Sequence, residues 1–79
     1  MTPKEAIKLV EKSHPGLYAT GNICSYKNWY IIELSDTKKP EYIPIDSSLK
    51  IDKRTKEITP YIPFVDGIPT PSDRMFIDI

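Results

Sequence analysis

Eight prolines in 79 residues decide where this chain can be regular. Proline has no amide donor and its φ is locked, so it opens helices, ends them, and is confined to the edges of sheets. Pro3 follows Thr2 and precedes Glu5, which reads as a capping box with proline at the first helical position. Ala6, Ile7, Leu9 and Val10 then share an arc of about 160° on a helical wheel. Lys4, Lys8, Glu11 and Lys12 occupy the rest. Pro15 ends the run near Ser13, because it steers His14 away from the helical region, and Gly16 supplies the turn. A helix of about ten residues is marginal alone, so its apolar face must dock on something.

A sheet is the expected partner. Leu17 to Tyr26 has strand propensity, with Gly21-Asn22 marking a bulge or bend. Lys27-Asn28 reads as a tight turn into Trp29–Leu34, the strongest strand signal in the chain. Alternation puts Tyr30, Ile32 and Leu34 on one face, which suits the helix, and Trp29, Ile31 and Glu33 on the other. Ser35 to Pro40 is a polar loop, and Pro44 demotes Tyr42-Ile43-Pro44-Ile45 to an edge or an irregular approach. Leu49–Asp52 and Glu57–Tyr61 flank Lys53-Arg54-Thr55-Lys56 as a hairpin with a charged turn. The fold expected is α+β: an N-terminal helix packed on a small antiparallel sheet of three to four strands, with residues 1–62 as the core domain.

The last third is punctuated by Pro60, Pro63, Pro69 and Pro71. Residues 63–79 therefore read as an extended, proline-rich irregular tail, part of the same domain or an interaction arm. Ser72-Asp73-Arg74 offers a single helical turn before Met75 and Phe76. Apolar residues persist here (Phe64, Val65, Ile68, Met75, Phe76, Ile77, Ile79), whereas a tail without a role would be more polar. It either wraps the domain or meets another chain, with Met75, Phe76 and Ile77 as the contact and Asp73 and Arg74 at its rim.

Composition removes several classes of function. Eleven Lys+Arg balance eleven Asp+Glu, which argues against a strong electrostatic grip on nucleic acid or anionic membrane. One cysteine makes no internal disulfide, and no apolar run approaches the ~20 residues that span a bilayer. A cytoplasmic setting is the default expectation. Cys24 and His14 are the only candidates for a thiol–imidazole pair, and a packed cysteine with a surface histidine is the simpler reading. Asp36, Asp46, Asp52, Asp66, Asp73 and Asp78 lack the spacing of a calcium loop and read as solvated carboxylates. No phosphate-binding glycine loop is present, and no catalytic residue, metal or cofactor is expected. The best nucleic-acid argument is the hairpin cluster of Lys50, Lys53, Arg54 and Lys56 near several aromatics, diluted by Asp52 and Glu57.

The order of these features carries a resemblance. A capped helix ends in His14-Pro15-Gly16, and Trp29-Tyr30 opens the second strand. Ile51-Asp52-Lys53-Arg54-Thr55-Lys56-Glu57-Ile58 follows, and then Tyr61-Ile62-Pro63-Phe64. Over most of residues 1–66 the chain resembles small, mostly uncharacterised α+β proteins of Gram-positive bacteria and their phages. These carry a Val-Asp-Lys-Lys-Thr-Gly-Lys-Val hairpin and a proline-containing acidic tail. More distantly, it is similar to YrhB-like immunity-type domains. Lys56 stands where the group has glycine, a position whose left-handed backbone strains a lysine. The resemblance implies an α+β domain with an accessory or inhibitory role and no catalytic residues. The function expected is thus a non-enzymatic module that binds a protein partner. A nucleic-acid module using the Lys50–Lys56 hairpin and a self-associating component of a phage particle or other assembly are the alternatives.

Overall fold

The computed structural model describes residues 1–38 and 48–78. The helix α1 (Pro3–Ser13) begins as the capping pattern requires: the Thr2 hydroxyl oxygen accepts from the Glu5 amide at 3.2 Å. The Glu5 carboxylate receives the Thr2 hydroxyl at 3.2 Å. Strand β1 (Tyr18–Tyr26) turns through Lys27-Asn28 into β2 (Trp29–Ser35), and β3 (Leu49–Asp52) turns through Lys53–Lys56 into β4 (Ile58–Pro60). Register shifts between Ala19 and Ile23, where the bulge was expected, and Gly21 sits at φ 102°. The Tyr42-Ile43-Pro44-Ile45 segment lies outside the described residues.

Buried Ala6, Ile7 and Val10 of α1 pack on Ala19, Ile23, Ile32, Leu34 and Ile51, with Tyr30 and Leu49 at the margin. The face assigned to Tyr30, Ile32 and Leu34 is therefore the helix face. The Glu11 carboxylate also accepts from the Ala19 amide at 2.9 Å, tying α1 to β1. Truncating Ile32, which has no exposed surface, would leave a cavity at the centre of this cluster.

The C-terminal segment departs from the expectation. Instead of an irregular tail, it holds a one-turn helix α2 (Pro63–Asp66), a 3₁₀ turn (Pro71–Asp73) and a strand β5 (Arg74–Phe76). The sheet accordingly has five strands rather than three or four, antiparallel, in the order β4-β3-β2-β1-β5. Proline impedes pairing only at its own position, and none follows Pro71. Pairing of Ile23 with Met75 and Asn22 with Phe76 sets β5 against the free side of β1. Met75 and Ile77 turn toward the core, and Gly21 admits the chain there. A Cβ on Gly21 would lie 2.6 Å from the Ile77 carbonyl oxygen and 2.8 Å from the Phe76 ring.

Strands β4 and β5 are the two edges, so residues 61–73 must cross the whole sheet, a span of about 19 Å at four strand spacings. They cross on the side opposite α1. Asp66 meets Lys50, which alternates with the core residues Leu49 and Ile51 and so faces away from the helix. This strap covers the second face of the sheet, which is why Ile31 is buried although it points away from α1.

Candidate functional site: the strap and the sheet face beneath it

Pairing across the sheet aligns Thr59, Lys50, Ile31, Cys24 and Arg74, one from each strand, in a row on the strap face. Trp29 and Tyr26 lie in the row toward the hairpin turns, and Asn22 lies in the row toward the opposite end. Alternation along β2 puts Glu33 beyond Ile31 on this same face.

The strap is pinned over the hairpin side. Asp66 is buried, and its carboxylate accepts from Lys50 Nζ at 2.5 Å and from the Ile62 amide at 2.9 Å. The Asp66 carbonyl accepts from Lys27 Nζ at 3.2 Å, and the Tyr61 hydroxyl donates to the Gly67 carbonyl at 2.5 Å. Lys50 Nζ also stands 4.2 Å from the centroid of the Trp29 ring. A buried charge needs such partners, since either one alone would be costly to desolvate. The Ile62 amide first and then Lys50 hold the Asp66 carboxyl below the usual carboxylate range. Burial, followed by Tyr26, pushes the Tyr61 hydroxyl up, keeping it a donor. Gly67, at φ 98°, packs so closely on the Tyr26 hydroxyl that a side chain would collide with it. Asp66 is thus corrected from a solvated carboxylate to a buried, paired anchor.

Outside this anchor the strap carries apolar side chains into solvent. Phe64 is fully exposed, and Val65 and Ile68 are each more than three-quarters exposed. On its far side the strap arches over a cavity of about 530 Å³ lined by Cys24, Ile31, Glu33, Ile68, Pro69 and Arg74, among others. Glu33 is oriented by the bulge in β1: Thr20 donates to its Oε2 at 3.1 Å and Asn22 Nδ2 at 2.6 Å. Cys24 forms part of the floor. Burial pushes its thiol up, more than the nearby Arg74 lowers it, so the sulfur is held neutral and weakly nucleophilic. His14 caps α1 on the other side of the sheet, its ring nitrogen 2.8 Å from the Ser13 hydroxyl, and does not join Cys24.

The structure divides the residues singled out for binding. Of the tail residues, Met75 and Ile77 pack toward the core, Asp73 is half-buried, and Arg74 and Phe76 are exposed. Strand alternation thus separates the three apolar residues that were expected to act together. Of the hairpin cations, Lys50 is engaged by Asp66 on the strap face. Lys53 donates to the Ser25 hydroxyl at 2.6 Å and lies 4.7 Å from the Tyr30 centroid, on the helix side. Arg54 and Lys56 are exposed at the turn, so the four do not form one track. The apolar surface of Phe64, Val65 and Ile68 was visible as composition, but its exposure follows from the path of the strap. Among the described residues no group of three or more His, Cys, Asp or Glu could hold a metal, and no helix is long and apolar enough to cross a membrane. No family model, curated protein or solved structure matches the chain.

Proposed function

We propose that this chain is a small non-enzymatic protein-interaction module, an inhibitor of the immunity or anti-defence kind that acts by occupying a protein partner. The observation that carries the reading is the outer surface of the strap, where Phe64, Val65 and Ile68 stand exposed on a backbone anchored from below by Asp66, Tyr61 and Lys27. Monomeric domains rarely present large contiguous apolar patches to water, and Phe64 alone contributes on the order of 200 Å². An aromatic anchor on a segment that is already ordered loses little entropy on docking. The inhibitory direction rests on the resemblance of the chain to immunity-type domains.

The test compares an affinity-tagged wild type with a Phe64→Ser, Val65→Ser double variant. Both side chains are exposed, so circular dichroism of the variant should match the wild type. A protein captured from bacterial host extract by the wild type and lost with the variant is the expected result, with the activity of that captured protein falling when the wild type is added. Equal capture by both would move the contact off the strap. Specific capture without loss of the partner's activity would remove the inhibitory part of the reading.

A further inference from the structure

The cavity under the strap has a chemistry distinct from the apolar surface above it. Its floor and roof are apolar, with Ile31 below and Ile68 and Pro69 above. Its two charged side chains, Glu33 on β2 and Arg74 on β5, belong to strands two spacings apart, about 10 Å. Among the described residues neither charge is neutralised by an opposite one. Both hydrogen bonds to Glu33 fall on Oε2, leaving Oε1 without a donor among the described residues. Arg74 makes no ion pair among the described residues, whereas Lys50, three strands along the same row, is neutralised by Asp66.

The bulge in β1 adds a second observation. It places both Thr20 and Asn22 on one carboxylate oxygen, and Thr20 Oγ1 is itself held by the Asn22 amide at 3.2 Å. Bulges are used to re-aim side chains beside binding sites, and this one fixes Glu33 at the cavity wall. The volume of about 530 Å³ lies within the range of ligand pockets.

We propose that this cavity binds a small zwitterion with an apolar body, an apolar amino acid or a short unblocked peptide, its ammonium group on Glu33 and its carboxylate on Arg74. The apolar body lies between Ile31 and the Ile68-Pro69 arch. Charges of both signs lining one cavity select a ligand that carries both. The site shares Ile68 with the outer surface of the strap, but its charged contacts, Glu33 and Arg74, belong to the sheet, so it does not depend on the protein-binding role of the strap.

Isotope-labelled protein titrated with leucine and with the dipeptide Leu-Phe, followed by amide NMR shifts, tests this. Shifts should concentrate at Cys24, Ile31, Glu33 and Arg74. Blocking the ligand's amine by acetylation, or its carboxylate by amidation, should each weaken binding about tenfold or more, the scale of one lost charged hydrogen bond. Arg74→Gln, at an exposed position, should abolish the penalty for amidation and leave that for acetylation. Glu33→Gln, which retains an oxygen for Asn22 and Thr20, should do the reverse. Absence of shifts with all probes at about 10 mM overturns the proposal, because even weak small-ligand binding reaches the millimolar range. Equal binding of doubly blocked and free Leu-Phe also overturns it, in favour of a groove for an internal peptide segment.

Discussion

Two lysines occupy the left-handed backbone region, Lys27 at φ 53° and Lys56 at φ 65°, and they do so on different terms. Lys56 closes the β3–β4 turn, where the Asp52 carboxylate accepts from the Arg54 and Thr55 amides at 2.7 and 2.8 Å. Its side chain is exposed, so nothing offsets the strain, and Lys56→Gly should stabilise the fold by about 0.5–1 kcal/mol in denaturant melts. Lys27 has the same backbone cost but donates to the Asp66 carbonyl and lies 5.2 Å from the Tyr26 centroid. Lys27→Gly should therefore gain less than Lys56→Gly, and an equal gain would show that the Lys27 contacts hold nothing. Gly21 is the opposite case. Its φ of 102° and the close Ile77 carbonyl leave no room for a methyl group, so Gly21→Ala should cost more than about 1 kcal/mol by the same measurement. The resemblance pointed to the strain at Lys56, but the tight quarters at Gly21 depend on β5 and were invisible without it.

At the level of elements, what could be read in advance was what is local. The cap of α1, the β1 bulge, the two hairpins and the core face of β2 follow from neighbours within a few positions, and all were legible. The helix α2 was not, because a single turn opened by Pro63 carries no periodicity. Asp66 was not either, since six aspartates look alike until a backbone path brings one against Lys50. That pairing has a pH signature. Asp66 and Asp52 both titrate below the ordinary aspartate value in the folded state, each led by backbone amide donors: Ile62 for Asp66, and Thr55 then Arg54 for Asp52. A depressed folded value means that the stabilisation is complete above about pH 4 and is lost as the pH falls through the lower folded values. Asp66→Ala, which leaves no side-chain acceptor, should flatten that acid limb, measured as denaturation midpoint against pH. It should also release amide-exchange protection at Ile62 while Ile32 stays protected, and protection unchanged at Ile62 would refute the anchoring role of Asp66.

The whole molecule is a sheet with a helix on one face and its own chain strapped across the other. The cavity and the exposed Phe64 arise from this arrangement, which no short window of sequence records, because β5 finds β1 only after the strap has crossed three other strands. Deleting residues 74–79 should therefore do more than trim an arm. It removes Met75 and Ile77 from the core margin and opens the side of β1, so the remainder should melt at lower denaturant and gain mass in light scattering. A truncated protein with unchanged midpoint and mass would show that β5 is dispensable. The same strand order has a consequence in time. Until β5 docks, the outer margin of β1 is an open row of amides and carbonyls. During that interval the strand that belongs there competes with any passing one, including the β5 of a finished neighbour. Protein concentration during refolding should thus set how often two chains exchange their last strand instead of each closing on itself.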